Sequence, residues 1–190
     1  PGPGLLTLTN ASGRAFNVNS ASVQIDVTIS RLAIAGNTAT VAGSAIQFNN
    51  EKLTLNSVVV ANNTTTLGGA VTASTAGSHL TVQNSAIINN KSGIGGGFSI
   101  ASLTSGNTFI LRNSTVSGNS SSGNGGGIYH SNTNALTNFT IDNSTITNNT
   151  STGGGGIRAT SGSGAIVTIT SSIIAGNAGP ASSPDILNFT

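Results

Sequence analysis

The sequence predicts an all-β protein that folds as a right-handed, single-stranded parallel β-helix (a β-solenoid). We expect about six to seven coils with three short strands in each. Three observations predict this fold: a pair of apolar residues recurs at a regular spacing, an asparagine follows each pair at a constant distance, and a glycine-rich step completes most repeats. The apolar pairs are Val27/Ile29, Leu53/Leu55, Leu80/Val82, Phe109/Leu111, Phe139/Ile141 and Val167/Ile169.

The spacing of these pairs selects the fold class. Their first residues lie 26, 27, 29, 30 and 28 positions apart, so the period is about 28 residues with small insertions. A period of roughly 20 to 50 residues indicates a solenoid or a propeller. A propeller blade needs about 40 residues and four hairpin-linked strands, and the frame of a leucine-rich repeat does not occur in this chain. Of the folds with this period, the parallel β-helix is the one that fits the sequence.

One repeat shows the elements of a coil in order. A first strand begins at Phe139, a second at Thr145 and a third at Ile157, with corners rich in Asn, Ser and Gly between them. Inward residues of such strands stack on their equivalents about 4.8 Å away in the next coil and build an aliphatic core. The final repeat lacks the glycine-rich step, and we expect it to turn instead into the segment Pro180–Pro184.

An asparagine stands ten residues after the start of every repeat. The residue before it is always Gly or Asn, the two types that tolerate the positive φ of a tight corner. A corner Asn can also hydrogen-bond its carboxamide to the Asn of the next coil, which satisfies buried polar groups. We therefore predict a structural ladder of six residues: Asn37, Asn63, Asn90, Asn119, Asn149 and Asn177.

The repeat covers nearly the whole chain, so we expect a single domain over residues 1–190. Within it, residues 1–26 form an irregular N-terminal coil, residues 27–177 the regular repeats, and residues 178–190 a C-terminal turn or extension. The chain carries neither an initiator Met nor a signal peptide, which suggests a piece of a longer protein. No apolar run approaches the roughly 20 residues of a transmembrane helix.

Composition narrows the classes of partner. Charged residues make up 5% of the chain, and the six Lys and Arg residues are scattered rather than clustered. A nucleic-acid partner would require a basic stripe, so none is expected. The chain has no Cys, hence no thiolate ligands. We predict no cofactor and no metal.

The titratable residues do not indicate an enzyme. Polysaccharide-cleaving β-helices use clustered carboxylates, as acid/base pairs or calcium ligands. The acids here are far apart in sequence: Asp26, Glu51, Asp142 and Asp185. His79 falls in a variable turn and His130 follows Tyr129, with no carboxylate close in register to either. Arg112 and Asp142 share an outward column, where the expectation is a surface ion pair.

The outward positions of the second strand form a candidate interaction face. Neither of its two columns carries a charge over six coils, and several members are apolar: Ala33, Val59, Ala86, Ile173, Ala61 and Ile88. Such a face can pack against another chain or domain. The alternative is that the small residues simply form a sparse surface. The exposed strands at the ends of the rod offer a second route to association, by end-to-end stacking.

A glycan contact is the other surface role considered. Tyr129 and Arg158 share an outward column, where they could stack by a cation–π contact or present a sugar platform. The support for it is a single aromatic side chain.

Several motifs resemble those of a known family. Gly68-Gly69-Ala70-Val71, and the sequence GGGIY at 125–129 after VSGN at 116–119, are similar to the GGA(I/V)/FxxN repeats of polymorphic outer-membrane proteins. The chain also resembles the right-handed β-helix regions of large bacterial surface and secreted proteins. The segment 13–18 matches their lead-in, and 172–177 with Pro184-Asp185 matches their closing turn.

The resemblance implies a secreted or cell-surface location. We predict a non-enzymatic structural or adhesive module of an extracellular protein, which self-associates into fibres or packs against neighbouring domains of a longer chain. The alternative is a carbohydrate-binding or polysaccharide-degrading β-helix whose catalytic residues lie outside this sequence.

Overall fold

The computed structural model describes residues 5–20, 23–102, 106–132, 138–161, 166–180 and 183–187. They form an all-β parallel solenoid of about six coils, as predicted. In chain order the strands are β1 (Leu6–Leu8), β2 (Phe16–Val18), β3 (Asp26–Ser30), β4 (Leu32–Ala35), β5 (Thr38–Ala39), β6 (Ile46–Phe48), β7 (Lys52–Asn56), β8 (Val59–Ala61), β9 (Thr64–Thr65), β10 (Val71–Ala73), β11 (His79–Gln83), β12 (Ala86–Ile88), β13 (Lys91–Ser92), β14 (Phe98–Ser102), β15 (Thr108–Arg112), β16 (Thr115–Ser117), β17 (Ser120–Ser121), β18 (Ile128–Asn132), β19 (Asn138–Asp142), β20 (Thr145–Thr147), β21 (Ile157–Ser161), β22 (Ile166–Thr170), β23 (Ile173–Ala175) and β24 (Ile186–Leu187).

Three long sheets run along the stack. Sheet A contains β1, β4, β8, β12, β16, β20 and β23; sheet B contains β2, β6, β10, β14, β18, β21 and β24; sheet C contains β3, β7, β11, β15, β19 and β22. The pairing is parallel, and each strand lies beside its equivalent in the next coil. In sheet C, Leu53 pairs with Leu80 and Leu80 with Phe109, which confirms the register predicted from the apolar pairs.

A fourth sheet was not predicted. Sheet D consists of the two-residue strands β5, β9, β13 and β17, which directly follow the ladder asparagines. The backbone stays extended there because the first residue after each ladder Asn donates its N–H to the Asn carbonyl of the preceding coil; Thr64 donates to Asn37 at 2.8 Å. Two residues are too few to show an alternating pattern, so this sheet has no signature in the sequence.

Short strands also occur near both ends of the described part of the chain. β1 and β2 pair in register with the next coil, Leu6 with Leu32 and Phe16 with Ile46. At the other end the glycine-rich step is missing, but the final repeat still has a third strand. This strand, β24, pairs in register with Ile157 and Arg158 of β21. The segment after Pro180 is therefore followed by a short strand that the sequence did not predict.

The interior is aliphatic with a short aromatic stack. Phe98, Phe109 and Phe139 are fully buried. The ring centroids of Phe98 and Phe109 lie 5.3 Å apart in an edge contact, and those of Phe109 and Phe139 lie 5.1 Å apart in a stacked one. Across the described residues, no helix has the length and apolarity needed to cross a membrane.

The corners adopt the backbone conformations that their residue types suggest. The residue before each ladder Asn has φ between 55° and 71°, in the left-handed region; these are Gly36, Asn62, Asn89, Gly118, Asn148 and Gly176. The glycine run Gly125–Gly127 is required for a different reason, which is the close packing of backbones between coils. A Cβ built on Gly126 would lie 2.4 Å from the carbonyl oxygen of Gly155 and 2.5 Å from the backbone N of Thr150.

Replacing Gly126 by Ala is therefore expected to lower the free energy of unfolding by about 2 kcal/mol, because two backbones must separate to admit the methyl group. Gly36→Asn is the matched control. Its Cβ would lie 3.6 Å from the nearest atom, and Asn62 occupies the equivalent position one coil later. Urea unfolding measures both variants. Equal stability of Gly126→Ala and wild type would contradict the close packing.

Candidate interaction surfaces

The six predicted asparagines lie in one buried column that joins all the regular coils. Each backbone N–H from Asn37 to Asn149 donates to the Oδ1 of the next ladder Asn at 2.9–3.0 Å, and each Nδ2 donates to the same oxygen at 2.6–2.9 Å. From Asn63 onwards, Nδ2 also donates to a backbone carbonyl of the preceding coil, at 2.8–3.0 Å. This network makes the column a continuous connection along the rod.

Each end of the asparagine ladder has a different partner. The N–H of Asn10 donates to Asn37 Oδ1 at 2.6 Å. At the other end, Asp185 takes the place of a further asparagine, and its Oδ1 accepts from the N–H and Nδ2 of Asn177 at 3.0 and 2.9 Å. The sequence indicated only a closing turn at this position.

A second ladder is formed by serines at the corner between sheets C and A. Val58 N–H donates to Ser85 Oγ at 3.0 Å, and the N–H groups of the following serines donate to the next Oγ at 3.1–3.2 Å; the members are Ser85, Ser114, Ser144 and Ser172. Each Oγ donates to the carbonyl two residues earlier. In the first two coils Leu32 and Val58 occupy this column.

Glu51 is a buried carboxylate that the sequence reasoning did not single out. Glu51 is fully buried. One carboxylate oxygen accepts from the N–H of Ser20 and the other from the N–H of Ile25, both at 2.5 Å. Glu51 therefore ties the segment before β3 to the first coils, which is a structural role. No pattern in the repeats distinguishes this position.

The predicted face of sheet A has the expected register but an uneven surface. Val59 pairs with Ala33 and Ala86, and Ala61 pairs with Ile88, so the two columns exist. Ala33 and Ala61, however, are buried and offer little area. Val59, Ala86 and Ile88 are half-buried, and Ile173 is 62% exposed. The accessible apolar area therefore centres on Ile88 and Ile173.

The open end of the stack adds exposed apolar side chains. Ile166 is 61% exposed on the outer strand of sheet C, and Ile169, an inward residue, is 36% exposed. Among the described residues no strand pairs with the free edge of β22. Stacking at this end stays a prediction.

The two residues of the possible sugar platform are neighbours in register. Tyr129 pairs with Arg158 in sheet B, and both are half-buried. Whether they contact a glycan remains a prediction.

The predicted ion pair between Arg112 and Asp142 is not formed. The residues are paired in register, but Asp142 Oδ1 accepts instead from Thr170 Oγ at 2.8 Å. The ion pair seen within the described part of the chain joins Lys52 Nζ to Asp26 Oδ1 at 3.5 Å, on the outer face of sheet C. A hydroxyl one coil away is a neutral partner that requires no long side chain to be held in one rotamer.

His79 does not lie in a variable turn, contrary to the sequence-based assignment. It begins β11 and pairs with Lys52, which pairs with Asp26. Its Nδ1 contacts Thr108 Oγ1 one coil further on. Burial, followed by the charge of Lys52, lowers the pKa of His79, while Asp26 acts in the opposite direction. A carboxylate thus lies two coils from His79 in the same column.

These residues line a depression on sheet C, which we call the sheet C trough. Its volume is about 240 Å³. It is lined by Asp26, Val27, Thr28, Lys52, Leu53, Thr54, His79 and Thr81. A column of charged or titratable groups therefore stands beside a column of threonine hydroxyls over three successive coils.

His130 points inward, between Ile100 and Ala159 in register. It is buried, its ring lies 5.0 Å from that of Phe139 in an edge contact, and its Nε2 has no hydrogen-bond partner. Desolvation by burial lowers the pKa of His130 to about 4. The imidazole is therefore neutral at pH 7 and acts as part of the core. Within the described residues, no three His, Cys, Asp or Glu side chains form a group that could hold a metal.

Comparison with known families adds one finding. A family model described as the Chlamydia polymorphic membrane protein repeat matches residues 113–131. Those residues comprise the Asn113 corner, β16, the ladder residue Asn119, β17, the glycine run and most of β18. Neither the comparison with curated proteins nor that with solved structures gave a match. The chain is a parallel β-helix repeat region that is similar to the polymorphic membrane proteins.

Proposed function

We propose that this chain is a structural or adhesive module of a cell-surface protein, which acts as a stiff rod and associates side by side with copies of itself. The observation that carries the proposal is the asparagine ladder, which runs without a break from Asn37 to Asn177. A continuous hydrogen-bonded column resists bending between coils, as a stalk or spacer requires. The match to a membrane-protein repeat supports a location at the cell surface.

The face of sheet A is the surface best suited to lateral packing. It carries no charged side chain on its two outward columns. Two identical faces can therefore approach without like-charge repulsion. Sheet C, by contrast, carries Asp26, Lys52 and Arg112 on its outer face, so packing it against a copy would desolvate charges. The apolar side chains of Ile88 and Ile173 would supply the contact area on sheet A.

Lysine at these two positions tests the proposal. Wild-type protein is expected to sediment as a concentration-dependent oligomer, and the double variant Ile88→Lys/Ile173→Lys as a monomer with an unchanged circular dichroism spectrum. Ile110→Lys, on the outer face of sheet C, is the matched control because Ile110 is half-buried like Ile88; it should keep the wild-type size.

Sedimentation velocity and negative-stain electron microscopy together decide the outcome. Monomeric wild-type protein at all concentrations, or an unchanged size distribution of the double variant, would contradict lateral association through sheet A. Fibres that persist in the double variant would point to stacking at the ends of the rod.

A further inference from the structure

We propose that the sheet C trough binds a neutral saccharide, with Asp26, Lys52 and the Thr28–Thr54–Thr81 column as its hydrogen-bonding groups. This site is on a different sheet from the lateral face proposed above and does not depend on it. Nor does it involve Tyr129 and Arg158, which lie on sheet B.

The first argument is the concentration of charge. The chain has ten Asp, Glu, Lys and Arg residues in 190. Two of them and one of the two histidines nevertheless occupy equivalent positions in successive coils, because Asp26 pairs with Lys52 and Lys52 with His79. A column of this kind on an otherwise charge-poor rod calls for an explanation beyond solubility.

The second argument is the geometry of the groups. Thr28, Thr54 and Thr81 are paired in register and stand two residues along the strand from the charged column. The trough therefore presents donors and acceptors in two parallel rows, with neighbours in a row about 4.8 Å apart. A saccharide offers adjacent hydroxyls that each donate and accept, so a carboxylate, an ammonium group and hydroxyls placed at regular intervals suit its chemistry.

The third argument selects a neutral ligand over an acidic one. Lys52 Nζ already has the carboxylate of Asp26 at 3.5 Å. The pair has no net charge, so it offers hydrogen bonds rather than an anion-binding field. The exposed fractions of the two side chains are 53% for Lys52 and 76% for Asp26, so both can exchange water for ligand hydroxyls.

The experiment uses the full chain on an array of neutral and acidic oligosaccharides, followed by calorimetry with the neutral oligosaccharide that binds best. Lys52→Gln and Thr54→Val are each expected to weaken binding about tenfold, because the first replaces a charged donor by a shorter neutral one and the second removes a hydroxyl. Thr140→Val is the control for the second variant, since Thr140 belongs to the same column outside the trough and is also half-buried. Lys91→Gln on sheet D is the control for the first. Both controls should change the affinity less than about twofold.

Three results would overturn the proposal: no neutral saccharide bound by the wild-type protein, wild-type affinity of both trough variants, or binding confined to acidic saccharides and lost at high salt. Sedimentation of Lys52→Gln separates this proposal from that on sheet A. The variant should keep the wild-type oligomer size while binding the saccharide about tenfold more weakly. A change in both properties would show that the trough acts only through association.

Discussion

Replacing Asn119 by Ala is expected to lower the free energy of unfolding by about 4 kcal/mol. The change removes four buried hydrogen bonds, at roughly 1 kcal/mol each. Nδ2 of Asn119 donates to the Ile87 carbonyl at 2.8 Å and to Asn149 Oδ1 at 2.9 Å. Its Oδ1 accepts the N–H and Nδ2 of Asn90 at 3.0 and 2.9 Å. Urea unfolding followed by circular dichroism measures the loss.

Aspartate provides a sharper comparison at the same ladder. Asn119→Asp keeps the accepting Oδ1 but replaces the donating Nδ2 by an oxygen beside two other acceptors, so it should destabilise at least as much as Ala. Asp185→Asn should cost less than about 1 kcal/mol, because Asp185 Oδ1 only accepts from Asn177 and an amide oxygen can do the same. Equal effects of the two exchanges would contradict the assigned directions of donation.

Acidification is expected to destabilise the fold through His130. Burial lowers its pKa to about 4 in the folded chain, whereas an unfolded histidine titrates near 6.5. As pH falls from about 6.5 to about 4, this histidine binds a proton in the unfolded chain but not in the folded chain. The contribution to stability is complete above pH 6.5 and is lost progressively down to pH 4, by about 3 kcal/mol in total.

The variant His130→Leu isolates this effect. An aliphatic residue fits the column, since Ile100 occupies the same position one coil earlier. Wild type and variant are compared by urea unfolding at pH 7, 6, 5 and 4.5, so that acid effects common to both proteins cancel in the difference. The stability difference should move in favour of the variant as the pH falls. His79→Gln should leave most of the acid sensitivity in place, since that ring is only half-buried. A difference that does not vary with pH would contradict the burial of a neutral imidazole.

The repeating features of the fold could be predicted from the sequence because they depend on local periodicity. The apolar pairs identify sheet C, and the Gly or Asn before each ladder residue identifies a corner with positive φ. The inward position of His130 follows from the same alternation, since it stands two residues after the buried Ile128. The charged column of the trough could also have been predicted from the repeat, because Asp26, Lys52 and His79 each precede the first apolar residue of a repeat.

Other features depend on contacts that periodicity does not specify. Glu51 is buried because two backbone N–H groups from the preceding segment turn towards it. Asp185 closes the asparagine ladder although it is only eight residues from Asn177, within the same coil. The serines recur five residues after the start of each of the last four repeats, but their hydrogen bonds depend on the geometry of the corner. The right hand of the coil stays a prediction from the size of the repeat.

Exchange of the asparagine side-chain amide protons tests the central claim, that a buried ladder joins the coils into one rod. Carboxamide protons on a protein surface exchange rapidly with water, whereas those of Asn63, Asn90, Asn119 and Asn149 are buried and donate to two acceptors each. NMR in D₂O should therefore show these protons protected for as long as the central strand amides, and the exposed carboxamide of Asn148 exchanging at once. Rapid exchange of all the asparagine side chains alike would contradict the account.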